Sequence, residues 1–349
     1  MRSDTRIYTV VKLAPNLILS VLLISNIVIM MDPRAVTCRL PPGPLEFMPR
    51  QSQTPKSAIN RKDQPAQVFD CISGVHYRDT GPSRRDLIPF DSTATLSGLT
   101  ESPGHRVRQF VDTFKGRAWG RYDPNYKGVQ ASGEGSTLKN AQRMIAMLQL
   151  VVERIKNELG KDRVRILDAP CGDMAWMKQF LQMRPDILYT GVDIVPDLIQ
   201  IHKKTFQGVE NRDFFVHDVA KSPLNFTKEP FDLILSRHCL QHLTIKDAMR
   251  ALRHFESTGS RYLLTTTWAY ARLNRPFTKD FETPGRFHDL NLEIPPYKLA
   301  PPLCISLDGP HLSFIGLWHF PLKQIANCHE SGLKEDRLFT GQTQPMVHC

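Results

Sequence analysis

The chain is poor in the features that mark several function classes. Its seven cysteines (Cys38, Cys71, Cys171, Cys239, Cys304, Cys328 and Cys349) include no CxxC pair, so no structural zinc framework is spelled out and no metal site is expected. The turn after its clearest apolar strand holds one glycine, Gly172, where a dinucleotide would need the three of a G-x-G-x-x-G fingerprint. The net charge of +10 is not gathered into a Lys/Arg block: residues 1–110 hold 14 Lys/Arg against 9 Asp/Glu, and the remainder 31 against 26. The excess is therefore spread along the chain, no nucleic-acid motif is visible, and nucleic acid is not expected as a partner. With 20 glycines and 26 prolines the chain is neither collagen-like nor low-complexity, and its 41% apolar share is that of a globular protein.

What is present begins with an uncharged run. LAPNLILSVLLISNIVIMM, Leu13–Met31, follows a flank carrying Arg2, Arg6 and Lys12 against Asp4. As a helix it would extend about 28 Å, enough to cross a bilayer core. The leading expectation is a signal anchor at 13–31 with a cytosolic tail, residues 1–12, and a luminal remainder, a type II topology in the Golgi or endoplasmic reticulum. A cleaved signal peptide and a buried core helix are the alternatives. Residues 32–105 are spaced with prolines and show no lasting period, which reads as a stem, or as an extension packed on the domain. A catalytic domain is expected over 106–349. Cys171 and Cys239 lie in apolar strand-end segments and read as free thiols, while the other five could form disulfides in an oxidising compartment, one at least remaining unpaired.

Within the domain, Ile145, Leu148, Val152, Ile155 and Leu159 recur at helical steps, with Ser136 as the expected N-cap and Gly160 just past the end. Apolar runs then end at Asp168, Asp193, Asp218, Ser236 and Thr267, with helical patterns near 174–183, 196–206 and 244–256. This alternation predicts an α/β fold with a doubly wound parallel sheet, and LCISL followed by SFIGLWHF predicts a closing antiparallel hairpin.

Ligands of such sheets sit beyond the carboxyl ends of the strands. There the chain places Asp168, Ala169, Pro170, Cys171, Gly172 and Asp173 after the first strand, Asp193 and Ile194 after the second, Asp218 after the third, and Ser236, Arg237, His238 and His242 after the fourth. Two acids in the first turn would repel a pyrophosphate. They suit S-adenosylmethionine, which has no phosphate and carries a sulfonium and an ammonium. Helix capping by Asp168 and Asp173 is the structural alternative.

LDAPCGDMAWM, YTGVDIVPDLI, FDLILSRHCLQHL, SRYLLTTTW and IGLW resemble the class I S-adenosylmethionine-dependent methyltransferases, and most of all a subgroup with a DxPCGDxxWM first motif. The stretch FKGRAWGRYDPNYKGVQASGEGSTLKNAQ is similar to that subgroup's lead-in, and the likeness covers about 109–322. It implies a seven-stranded sheet with a reversed last strand. It also implies that loop 168–173 holds the methionine part, Asp193 the ribose and Asp218 the adenine. The subgroup often has Asp where this chain has His238. His238 and His242 are the candidate general bases toward a hydroxyl, with His238 preferred. Trp119, Ser132, Gly133 and Ser136 are expected as a lid, unless Trp119 is simply buried. The topology points to a sugar hydroxyl on a glycan as acceptor. A small molecule, lipid or protein acceptor, a non-catalytic binding module on the same fold and a nicotinamide oxidoreductase are the remaining readings.

Overall fold

The computed structural model describes residues 22–24, 27–29, 68–73, 76–78, 87–90, 102–116, 118–119, 132–274, 287–309, 313–325, 329–331 and 346–348. The chain divides into two units, Met1–Arg39 and Leu40–Cys349. In the first, Leu22–Ile24 pairs antiparallel with Ile27–Ile29, where a helix was expected; β-branched Ile27, Val28 and Ile29 favour extended backbone. The remainder of the 13–31 segment and the tail 1–12 lie outside the described residues. Among the described residues no helix is long and apolar enough to cross a membrane.

The second unit is built on seven strands: β1 Val164–Asp168, β2 Ile187–Asp193, β3 Arg212–Val216, β4 Leu233–Ser236, β5 Tyr262–Thr267, β6 Cys304–Leu307 and β7 Phe314–His319. Their order is β6-β7-β5-β4-β1-β2-β3. Strands β1 to β5 pair parallel, while β7 runs antiparallel to both β5 and β6. This is the doubly wound sheet with the reversed last strand and C-terminal hairpin that the sequence led us to expect. Strands β4 and β5 are buried along their whole length, because helices cover both faces and a period of two has no wet side to report.

Among the described residues five α-helices accompany the sheet: α1 Pro103–Lys115, α2 Gln142–Leu159, α3 Met177–Met183, α4 Pro196–Thr205 and α5 Ile245–Ser257. Helix α2 buries Met144, Ile145, Met147, Leu148, Val151, Val152 and Ile155, each full burial contributing about 1.5–3 kcal/mol. It ends as expected, with Gly160 at φ 59, where a side chain would be strained. Its start differs: Ser136 belongs to a short 3₁₀ turn, Glu134–Ser136, and the α-helix begins six residues later. Helix α1 was not anticipated, and the reason is its inward face. Arg106, Gln109 and Thr113 are the residues it buries, so no apolar stripe betrays it, although Ser102 caps it through His105 N and Pro103 opens it.

The domain also reaches further back than residue 106. Cys71 N donates to Ile305 O, so this segment covers part of the edge strand β6, and Leu87–Pro89 pairs antiparallel with Lys323–Ile325. Asp70, Cys71 and Phe90 are buried, and Arg143 reaches both Asp70 and Ser306. These parts of the expected stem are an extension packed on the domain. A disulfide joins Cys71 to Cys304 across 233 residues, and Cys171 and Cys239 are free and buried, as read from the sequence. Closing so long a loop restricts the unfolded chain. The Cys71→Ala/Cys304→Ala double variant is expected to lose about 2–5 kcal/mol in urea unfolding. An unchanged midpoint would show that the bridge adds nothing.

Candidate active site

A cavity of about 570 Å³ opens beyond the carboxyl ends of the strands, walled by α1, the Ser132–Ser136 segment, the turns after β1, β2, β3 and β4, Trp268 and Phe287. Its floor is the β1 turn. Gly172 sits at φ 55, and a side chain there would strike Ser132 Oγ at 2.6 Å, so glycine is required on both conformational and steric grounds. Ser132 and Asp173 bond reciprocally: Ser132 N donates to Asp173 Oδ2 at 3.1 Å, and Asp173 N donates to Ser132 Oγ at 2.9 Å. Asp173 Oδ1 accepts from Ala175 N, two residues before α3 begins, and α3 has no side-chain cap. The acid therefore braces the turn against the lead-in rather than capping a helix.

Asp168 takes a hydrogen bond from Tyr189 Oη at 2.7 Å, and burial pushes its pKa up to about 7 even though that bond works the other way. Asp193 accepts from Gly172 N at 3.0 Å and Val195 N at 2.9 Å, which links the second strand end to the first turn. Burial likewise raises its pKa to about 6, against the pull of those two bonds. Asp218 lines the cavity, with both oxygens engaged by the Arg106 guanidinium and Oδ1 also by Ala220 N. Pro170, Cys171, Ile194 and Arg237 also reach the wall. Two expected cofactor residues do not. Ala169 is fully buried among apolar side chains, and Ser236 is fully buried with its carbonyl taken by Thr265 Oγ1. The alternation of β4 turns Ser236 inward and leaves the edge to its successors.

After β4 the chain turns sharply, with His238 at φ 51 and its N–H on Thr266 Oγ1. Arg237 forks onto Asp308 with Nε–Oδ2 at 2.9 Å and Nη2–Oδ1 at 2.8 Å, gives a second Nη2 bond to Gly135 O, and lies over Trp176. Burial acts to raise the Asp308 pKa, but Arg237 and His238 outweigh it and hold the carboxyl below its usual range. His238 Nε2 stands 3.5 Å from Asp308 Oδ2, and its Nδ1 is 3.2 Å from the Gln241 amide nitrogen. The same nitrogen is 3.4 Å from His242 Nε2. One buried amide thus bridges both histidines. The two are not on one face of an α-helix, since Leu240–His242 forms a single 3₁₀ turn. His242 packs on Trp119 with ring centroids 4.8 Å apart. Trp119, Ser132, Gly133 and Ser136 all line the cavity. Sequence reasoning missed Arg106, Gln241, Asp308, Trp268 and Phe287. Nothing in a lone DGP turn or an isolated arginine tells which distant strand end it will meet.

Residues 166–258 match the profile of a methyltransferase domain. A malonyl-[acyl-carrier protein] O-methyltransferase of Paenibacillus sp. (strain JDR-2) is 26% identical over 142 residues, which cover 39% of this chain and 51% of that protein. The chain thus spans about half the length of that relative. Among solved structures, magnesium protoporphyrin IX methyltransferase (ChlM) from Synechocystis PCC 6803 with bound SAM is 14% identical, covering 66% of this chain and 99% of the other at a TM-score of 0.42. The [4+2]-cyclase SpnF is 17% identical over 56% of this chain and 71% of its own, with a TM-score of 0.37.

Residues 166–258, the segment similar to a methyltransferase domain, carry Asp168, Asp173, Asp193 and Asp218, which line this cavity, and S-adenosylmethionine is the donor expected there from the sequence. The residues fit this donor. Asp168, Asp173 and Asp193 converge on the Gly172 turn, an anionic floor suited to a sulfonium and an ammonium and hostile to phosphate. A pH dependence follows. A cationic donor would bind the ionised carboxyls. Since burial raises their pKa values to about 6 and about 7, affinity is gained as pH rises through that window and lost as it falls. Calorimetry is expected to find donor binding weaker by about tenfold or more at pH 5.5 than at pH 8, and Asp193→Ala to cost about 1.5–3 kcal/mol. A flat pH profile with unchanged affinity in Asp193→Ala would remove this carboxyl from the donor site.

Proposed function

We propose that the chain is an O-methyltransferase of the secretory pathway, of the DxPCGDxxWM subgroup, anchored by its N-terminal apolar segment with the catalytic domain luminal, in the Golgi or endoplasmic reticulum. The chemistry rests on one observation. Two imidazoles stand at the β4 edge of the donor cavity, and one of them, His238, faces a buried carboxylate. A base oriented by an acid suits removal of a hydroxyl proton. When bound, the donor supplies an activated methyl with a neutral sulfide as leaving group. The protein's task is then to align the acceptor oxygen and receive its proton. Asp168, Asp173 and Asp193 would hold the donor, with Asp218 near its adenine. Labelled donor offered with panels of hydroxyl compounds tests this, and absence of transfer to any oxygen acceptor would favour a binding module on the same fold.

The location is supported by the uncharged Leu13–Met31 run, by the Pro-rich stretch ahead of Val68, and by a disulfide, which persists in oxidising compartments. A further support is the triplet Asn225-Phe226-Thr227. Asn225 and Thr227 are exposed, while Phe226 stacks on Phe215 with centroids 4.8 Å apart and presents the loop. Expressed in animal cells, the protein is expected to lose the mass of one glycan on endoglycosidase treatment, and Asn225→Gln to abolish the shift. An unmodified Asn225 together with a fully reduced Cys71 would place the domain in the cytosol instead. A glycan hydroxyl is the acceptor that this topology suggests. A small-molecule hydroxyl is the second reading, favoured by the rings that wall the cavity.

A further inference from the structure

We propose that the acceptor is a neutral molecule whose hydroxyl sits on an aromatic ring, held flat between the Trp119–His242 wall and the edge of Trp268. This rests on the O-methyltransferase reading in its second form, a small-molecule hydroxyl acceptor in place of a glycan, and narrows that form to a substrate class.

The first observation is the wall itself. Away from the Gly172 floor, the cavity is bounded by a chain of ring contacts. Phe110 lies 6.0 Å from Trp119, Trp119 lies 4.8 Å from His242, and His242 lies 6.5 Å from Phe287. Across the β4 turn, Trp268 lies 6.3 Å from His238. Gly133 permits this arrangement, because a Cβ there would stand 3.1 Å from Trp119 Cβ. Phe287 is half-exposed at 52%, so the rings continue from the interior to the mouth. Ring faces stack on planar guests with offset or edge geometry, each such pair contributing about 0.5–1.5 kcal/mol beyond burial.

The second observation is charge. Among the described lining residues, Arg106 and Arg237 are the permanent cations, set against Asp168, Asp173, Asp193, Asp218 and Glu134. Both guanidiniums are already forked onto buried carboxylates: Arg106 onto Asp218 and Asp247, Arg237 onto Asp308. An acceptor bearing a carboxylate or phosphate would meet an anionic floor with its two guanidiniums committed elsewhere. Drawing either guanidinium onto an anionic acceptor would break a buried ion pair, a strongly unfavourable exchange.

The third consideration is proton transfer. A phenolic hydroxyl loses its proton readily enough for a nearby imidazole to assist as general base. In the transfer the hydroxyl oxygen bonds to the donor's methyl carbon, the carbon–sulfur electron pair stays on sulfur, and the hydroxyl proton passes to a histidine nitrogen.

The test is a binding experiment on the full chain saturated with S-adenosylhomocysteine. Three probes are compared by calorimetry: 2-naphthol, 2-naphthoate, which keeps the ring and adds a negative charge, and lactose as a neutral sugar. The expected result is that 2-naphthol binds at least about tenfold more tightly than either of the others, and that Trp119→Leu weakens it by about 2–12-fold, the loss of one aromatic pair. Equal or tighter binding of 2-naphthoate or lactose would overturn the proposal, as would an unaltered 2-naphthol affinity in Trp119→Leu. Failure of S-adenosylhomocysteine itself to bind would instead refute the methyltransferase reading on which it rests.

Discussion

Arg106→Met is expected to lower the stability of the domain by about 3–5 kcal/mol, the cost of stranding buried charge when one partner of an ion pair is removed. Arg106 is 1% exposed. Its Nε meets both oxygens of Asp218 at 3.1 and 3.0 Å, Nη2 meets Asp218 Oδ2 at 2.8 Å, and Nη1 meets Asp247 Oδ2 at 2.9 Å. Asp247 is completed by Thr244 Oγ1 and Arg250. Burial already raises the Asp247 pKa despite those partners, so loss of the guanidinium drives the carboxyl further toward its neutral form. Methionine keeps most of the volume and none of the charge, which isolates the electrostatic loss. Asp218→Asn and Asp247→Asn added to Arg106→Met remove the stranded charges and are expected to recover part of the stability. Urea unfolding reads both. A loss below about 1 kcal/mol would mean that water reaches the two carboxylates. The consequence for function is direct, since this network fastens α1, and α1 carries Phe110 to the cavity wall.

His238→Gln is expected to lower kcat by at least about 10²-fold, within the usual contribution of a general base, while donor affinity changes little. The two histidines differ in surroundings. Asp308 stands 3.5 Å from His238 Nε2, where it would stabilise an imidazolium formed by a proton arriving at Nδ1. Gln241 lies against that Nδ1 at 3.2 Å and has to yield it to the acceptor. His242 is packed among Trp119, Phe110 and Phe287. His242→Gln is therefore expected to act chiefly on the acceptor KM, with a kcat loss below about tenfold. The pH profile separates base from scaffold: the acidic limb of kcat should vanish in His238→Gln and persist in His242→Gln. A 10²-fold loss confined to His242→Gln would exchange the two roles. Near-normal turnover and an unaltered profile in both variants would leave catalysis to alignment alone.

How much of this was legible from sequence depended on the range of the interaction. Strand ends at Asp168, Asp193, Ser236 and Thr267 were read to the residue, because an apolar run buried on both faces stops abruptly where polar residues take over at the carboxyl edge of the sheet. Gly160 was read as a helix end for a local reason as well, its αL backbone. The acids of the β1 turn and Asp193 were expected on one side of the sheet because consecutive strands of a parallel sheet bring their carboxyl ends to one edge, and there they line one cavity. The boundary of α2 was misplaced at Ser136, where a capping residue served a 3₁₀ turn instead.

Side-chain partners across the fold were decided by tertiary structure alone. Asp308 comes to Arg237 and His238 from 71 and 70 positions away, and Arg106 to Asp218 from 112. A pairing of that kind leaves no period, spacing or composition in the sequence, since it depends on where two distant backbones are set by the packing of everything between them. Cys71 reaches Cys304 in the same way: the chain determines that thiols are available, and only the edge of β6 determines which two meet. The same holds for the pKa values of Asp168 and Asp193. Their identity and place at the strand ends were written in the sequence, but the shift comes from desolvation, which exists only once the sheet, α1 and the Ser132–Ser136 segment have closed around them.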